Sequence, residues 1–200
     1  AIINKKIFDK YQVLKNILKK NNIKNFLLNH ETLGQSDTCY KAKRLIKKEE
    51  DLFIHSCDYI MKYSHKEFKK ITSKSDVIIF TYKLKSSIVK NYDDFAYCKT
   101  RNGKVLKIIE KKTISKTPQN DQMAIGSFWF KKASDFFLMH EESKKKKNYV
   151  NKELYVANNI NILIKKRKKV RVFEVYHWKN LGDYFSYNQY IYWKNFFLKY

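Results

Sequence analysis

Two hundred residues, 44% of them hydrophobic, can bury one sizeable core, so a single domain over 1–200 is expected. The apolar runs are only a few residues long, far short of the roughly 20 that span a bilayer. With no signal-peptide pattern at the start, that points to a cytoplasmic protein with no membrane span. The formal charge of +24 comes almost wholly from lysine, with Arg44, Arg101, Arg167 and Arg171 the only arginines. Surfaces that read nucleic acid use arginine for bidentate contacts, so the charge predicts nonspecific, salt-dependent attraction to polyanions.

In chain order, Asp9 to Lys20 carries Tyr11, Leu14, Ile17 and Leu18 at helical spacing, and Ile23 to Leu28 reads as a strand. Thr32 to Thr38 reads as a glycine turn leading into a helix over Thr38 to Ile46, with Ser36 or Asp37 as its N-cap. Leu52-Phe53-Ile54 is a short buried strand that delivers Asp58 just beyond its carboxyl end, where open α/β sheets place their ligands. A helix around Lys66 to Ile71 and a strand at Val77 to Phe80 follow. Phe95 to Cys98 pairs with Val105 to Ile109 across Arg101-Asn102-Gly103, since Asn-Gly is a hairpin signal. Thr113 to Gln122, with the single proline Pro118, is a loop.

Met123 to Phe130 is a strand whose Gly126 suggests close approach of a backbone or ligand. Ser134 to His140 is a short helix, and the lysine run Lys144 to Lys147 reads as a solvated loop. Tyr155 to Lys165 is an amphipathic helix, and the run Lys165 to Lys169 forms its C-terminal turn. Val170 to Val175 is a strand, and Tyr184 to Tyr200 an aromatic-rich helix. Strands alternating with helices predict an α/β fold with a mixed, mostly parallel Rossmann-like sheet flanked by helices. Cys39, Cys57 and Cys98 lack CxxC spacing, which argues for reduced thiols and against structural zinc. The five histidines give no metal triad by spacing; His55 lies nearest Asp58.

Four segments in this order resemble the sugar-phosphate nucleotidyltransferase family, whose fold is GT-A-like. They are Thr32-Leu33-Gly34-Gln35; the strand before Asp58; Gly103 through Glu110-Lys111-Lys112 with Ala124-Ile125-Gly126; and Lys152-Glu153-Leu154-Tyr155-Val156 with Trp178-Lys179-Asn180-Leu181-Gly182. The ending Tyr192-Trp193-Lys194-Asn195-Phe196-Phe197 looks like the branch that serves capsule and lipopolysaccharide synthesis. The resemblance implies transfer of a nucleotidyl group from a nucleoside triphosphate to a sugar 1-phosphate, with Mg²⁺. It implies Asp58 as metal ligand and catalytic carboxylate, and Gly34 and Gln35 beside the nucleotide. It implies Glu110, Lys111, Gly126 and Glu153 as the sugar-phosphate contacts. Each also has a purely structural role open to it: Asp58 as a turn cap, Gly34 as a loop glycine, Glu110 and Lys111 as surface charges, Gly126 as a packing position, Glu153 as a helix-start acid.

Two departures stand out. The second metal aspartate of the family pattern is Asn180 here, and an amide holds Mg²⁺ more weakly than a carboxylate; Asp183, three residues on, is a substitute. The family's N-terminal glycine-rich phosphate loop and first strand have no counterpart, because Ala1-Ile2-Ile3 already resembles a later strand. Three explanations stay open: a fragment, a strand supplied by a partner segment or homo-oligomer, or a degenerate homologue. No turnover is expected from these residues alone. The alternatives to an enzyme are a basic nucleic-acid-binding domain and a non-catalytic partner.

Overall fold

The structure, a computed structural model, describes residues 1–84 and 91–199. The elements in order are β1 (Ile2–Asn4), α1 (Lys5–Lys10), α2 (Gln12–Lys20), β2 (Phe26–Leu28), α3 (Gln35–Lys41), β3 (Leu52–Ile54), β4 (Tyr59–Lys62), α4 (His65–Thr72), β5 (Val77–Tyr82), β6 (Ala96–Arg101), β7 (Lys104–Glu110), β8 (Gln122–Phe130), α5 (Ala133–Lys145), α6 (Val156–Lys165), β9 (Val170–Glu174), β10 (His177–Asn180) and α7 (Tyr184–Lys199). The last residue of the expected aromatic helix, Tyr200, lies outside the described residues. Side chains cap helix starts: Asn4 accepts from Lys6 N ahead of α1, and Ser64 accepts from Glu67 N ahead of α4.

Six strands form one sheet in the order β3-β8-β5-β9-β7-β6, and β6 pairs again with β8 to give a barrel-like closure. The sheet is mixed, as expected, but not mostly parallel. Within it only β5 and β9 run parallel; the β3–β8, β5–β8, β6–β7, β6–β8 and β7–β9 pairings are antiparallel. The tight turn at Asn102-Gly103 forces β6 and β7 antiparallel, and a parallel pair needs a long crossover. The connection from β5 to the parallel β9 is such a crossover, and it returns through α5 and α6. Two further pairs stand apart from this sheet: β1 with β2, parallel, and β4 with β10, antiparallel.

β5 shows why Val77-Ile78-Ile79-Phe80 lacks alternation: both its faces are buried. Val77 and Ile79 pack with Phe128 and Phe130 of β8, Phe136 and Met139 of α5, and Ile160 and Leu163 of α6. Ile78 and Phe80 face the other way, with Trp129, Phe173 and the partly buried Phe68 of α4. Phe80 lies 5.3 Å from both Phe68 and Phe173, ring centre to ring centre. Burial of this kind contributes about 1.5–3 kcal/mol per large side chain.

Local departures from expectation have physical causes. α5 runs to Lys145, so Lys144 and Lys145 form its last turn and meet the negative end of the helix dipole. α3 begins at Gln35 behind Gly34, so Ser36 and Asp37 lie inside its first turn and neither is the N-cap. Asp58 does not end the Leu52–Ile54 strand; it sits in the bend between β3 and β4.

Candidate active site

One cleft of about 290 Å³ is lined by Gln35, Ser56, Asp58, Glu110, Lys111, Gly126, Tyr155, Trp178 and Asn180, among others. Six of the residues expected from sequence therefore meet: Gln35, Asp58, Glu110, Lys111, Gly126 and Asn180. Gly34, the N-cap of α3, and the exposed Glu153 are absent from the lining.

Asp58 and Asn180 are brought together by strand pairing. β4 and β10 align Asn180 with Tyr59, one residue beyond Asp58, and Leu181 N donates to Asp58 O at 2.8 Å. Gly182 is part of this geometry: a Cβ there would stand 2.9 Å from Asp58 Oδ2 and 3.3 Å from Asn180 Oδ1. The Asn180 amide donates to Asp183 Oδ2 at 2.8 Å. Asp183 itself serves α7, accepting from Ser186 N and Ser186 Oγ, bonds that hold its carboxyl below the usual range. Asp183 is thus a helix cap and not a free substitute ligand.

Gln35 closes another wall. Its amide donates to Ser56 Oγ at 2.8 Å and to the Gly126 carbonyl at 3.1 Å. Gly126 takes φ +85°, and a Cβ on it would come within 3.0 Å of Ser56 Oγ. The cause is a bulge: β8 advances from Phe128 to Ala124 while β5 advances only from Ile79 to Thr81. Gly34, at φ +93°, brings its backbone against Glu153 and Leu154, where a Cβ would meet Glu153 Cβ and Leu154 O at 3.1 Å.

Glu110 ends β7 and Lys111 follows it on the third wall. Lys111 holds φ +54°, an uncommon conformation for a side-chain-bearing residue. Its Nζ donates to Asp94 O at 2.5 Å and stands 5.6 Å from the Tyr155 ring centre. Burial pushes the Glu110 carboxyl up to about 7; Lys111 pulls it back and Glu153 adds to the rise. Glu110 Oε2 and Trp178 Nε1 are buried without a hydrogen-bond partner among the described residues. Burial, with the nearby Glu153 and Glu110 carboxylates, raises the Tyr155 phenol above its usual range, and Glu153 is exposed at the rim. His55 bonds Ser127 Oγ at 2.7 Å and Tyr59 OH at 3.0 Å and does not line the cleft.

Ser56, Asp94 and Tyr155 were not expected as cleft residues, and Trp178 was noted only as a landmark. Nothing in their spacing marks them: Ser56 lies in the loop after β3, Asp94 just before β6 and Tyr155 at the start of α6, and Trp178 arrives through the pairing of β10 with β4. Asp58 and Asn180 suit a hard cation that keeps most of its ligands from substrate and water. Among the described residues no three His, Cys, Asp or Glu side chains gather as a metal cage. The three cysteines are free, and no helix among the described residues is long and apolar enough to cross a membrane.

No protein-family model and no curated protein matches the sequence. Solved structures do share the fold. A nucleoside-diphosphate-sugar pyrophosphorylase from Vibrio cholerae RC9 aligns with TM-score 0.73 at 19% identity, over 94% of this chain and 78% of that one. The inositol-1-phosphate CTP transferase from T. maritima aligns with TM-score 0.67 at 12% identity, over 96% and 72%. A putative glucose-1-phosphate thymidylyltransferase from Bacillus anthracis, in complex with a sucrose, aligns with TM-score 0.65 at 13% identity, over 88% and 70%.

Proposed function

With the fold of sugar-phosphate nucleotidyltransferases as premise, we propose that this cleft binds a nucleoside triphosphate and a sugar 1-phosphate for nucleotidyl transfer. A phosphate oxygen of the sugar phosphate attacks the α-phosphorus, the bond to the β-phosphate oxygen breaks, and pyrophosphate leaves. The observation that carries it is the convergence of Gln35, Asp58, Glu110, Lys111, Gly126 and Asn180 on one cleft from separate parts of the chain.

Such chemistry depends on positioning and charge neutralisation more than on acid–base groups. Asp58, with the Asn180 amide oxygen as a weaker neighbour, would hold Mg²⁺, and the ion when bound supplies neutralisation of phosphate charge. Lys111 sets an ammonium beside the sugar phosphate. Glu110 offers its unpartnered Oε2 to a sugar hydroxyl, and Glu153 stands behind it at the rim. The Gly34–Gln35 turn lets backbone approach the nucleotide, and Gly126 leaves room beside the sugar. Which nucleotide and which sugar are matters for assay; service in capsule or lipopolysaccharide synthesis rests on the terminal aromatic segment alone.

The test pairs calorimetric binding of the four Mg-nucleotides and several sugar 1-phosphates with an assay for pyrophosphate release. Saturable binding that Asp58→Asn weakens at least about tenfold supports the proposal (about 1.4 kcal/mol). A folded protein that binds none of these ligands would sink it. The lysine surplus favours a separate, weaker activity, nonspecific attraction of polyanions outside this acid-lined cleft, and moderate salt should abolish it.

A further inference from the structure

A second polar cluster lies behind the Gln35 wall, and the reaction above does not use it. Ser36, Asp37, His140, Ser143 and Asn159 are all buried, none more than 3% exposed. They come from α3, α5 and α6. Ser143 Oγ donates to Asn159 Oδ1 at 2.7 Å, and Asn159 Nδ2 donates to Ser36 Oγ at 3.0 Å. Ser36 Oγ lies 2.9 Å from His140 Nδ1. Having accepted from Asn159, Ser36 has its own proton to give, so Nδ1 is the acceptor and the ring proton belongs on Nε2. His140 Nε2 faces Asp37 Oδ1 at 3.6 Å, and neither atom has another partner among the described residues. Asp37 Oδ2 accepts from Leu33 N at 3.2 Å.

The series therefore grips the chain on both sides of Gln35, at Leu33 and at Ser36. Backbone bonds tighten the grip, with Leu154 N to Leu33 O at 2.6 Å and Ser36 N to Leu154 O at 3.0 Å. Gln35, held between, spans to Ser56 and Gly126 across the cleft. The serine, histidine and aspartate have the composition of a nucleophilic triad, but all three are sealed from solvent and no substrate can reach the hydroxyl. We infer that His140 is a positioning residue, fixing the Gln35 side of the ligand site through Ser36 and Asp37. As a statement about ligand binding this rests on the proposed function; as a statement about the turn it does not.

The histidine faces Asp37 and Glu141, which favour its charged form, and Lys144 and Lys41, which oppose it; its ring stacks on Tyr40 at 4.1 Å. The test is nuclear magnetic resonance of the full chain, labelled with ¹⁵N at histidine and at backbone and glutamine amides. Wild type should show His140 neutral, protonated on Nε2, with Nδ1 an unprotonated acceptor. His140→Phe keeps a stacking ring but gives Ser36 no acceptor; His140→Asn sets an oxygen near the place of Nδ1. His140→Phe should move the Gly34 and Gln35 backbone resonances and the Gln35 side-chain amide. It should also weaken binding of whichever Mg-nucleotide the wild type takes by about tenfold, and His140→Asn should restore most of it. If His140→Phe does not fold, Ser36→Ala is measured on the same resonances with the same expectation. A proton on Nδ1, or folded variants that leave the Gln35 signals unmoved, overturns the inference. A wild type that binds no nucleotide defeats the proposed function alone, while the resonance shifts still decide the role of His140.

Discussion

Gln35 and Ser36 are neighbours in sequence, yet their side chains enter two different polar regions. Ser36 joins the buried series with His140 and Asn159, and the two atoms there without a hydrogen bond, His140 Nε2 and Asp37 Oδ1, face each other at 3.6 Å. Gln35 enters the cleft, where Glu110 Oε2 and Trp178 Nε1 are buried without partners. Unpartnered buried polar atoms cost stability and are rare. Polar groups behind the wall face one another and hold shape, and those in front of it face the cleft and suit a ligand that would complete them. Mutations in the two regions should therefore have opposite signs on stability.

The largest expected effect is on the pH dependence of folding. Burial lowers the His140 pKa to about 4, with Asp37 and Glu141 opposing and Lys144 and Lys41 assisting, against an ordinary value of 6.5. The unfolded chain then takes up the proton first. This contribution is complete above pH 6.5 and is lost as pH falls toward 4, by at most about 3 kcal/mol. Urea titrations between pH 4.5 and 7.5 should show that slope flattened in His140→Asn relative to wild type.

Next, Asn159→Ala strips an acceptor from Ser143 and a donor from Ser36, and should cost about 2–3 kcal/mol. Thermal unfolding would register that as a fall of roughly 5–10 °C for a chain of this size. In the cleft the sign reverses. The Glu110 pKa is raised from 4.5 to about 7, so its contribution is present below pH 4.5 and lost as pH rises through 7. Glu110→Gln should accordingly be more stable than wild type at pH 8, by about 1–2 kcal/mol, with the advantage gone at pH 4. An equal loss of stability in Asn159→Ala and Glu110→Gln at pH 8 would erase the contrast between the regions.

The smallest effect on stability belongs to Gly182→Ala. A Cβ there crowds Asp58 Oδ2 at 2.9 Å, so the carboxylate must turn, yet the segment is partly exposed and its backbone needs no special φ. Melting should change by less than about 2 °C, while affinity for a Mg-nucleotide, read by calorimetry, falls about tenfold.

The sequence made some of this visible and hid the rest for identifiable reasons. β5 and β8 were readable because their runs are buried on both faces, and the β6–β7 hairpin because Asn102-Gly103 sets its turn. Gly126 was read as a place where a backbone or ligand comes close; the structure sets it in a bulge against the side chains of Ser56 and Tyr59. The pairing of β4 with β10 was not readable: Tyr59–Lys62 and His177–Asn180 are short, and nothing local says they meet. That pairing is what brings Asn180 to Asp58. The parallel content was overestimated because helix–strand alternation says nothing about β8, which runs antiparallel to all three strands it pairs with, β3, β5 and β6. His140 carried no signal at all, since a histidine inside an apolar helix reads as core until its partners on α3 and α6 are seen.

The most direct measurement follows the three indole N–H resonances during titration with a sugar 1-phosphate and a Mg-nucleotide at moderate salt. Trp178 Nε1 is a buried donor with no acceptor in the cleft, so its resonance should move saturably on binding, and Asp58→Asn should suppress the movement seen with the Mg-nucleotide. A Trp178 signal that stays fixed at saturating ligand, or that moves equally in Asp58→Asn, would contradict the assignment of this cleft.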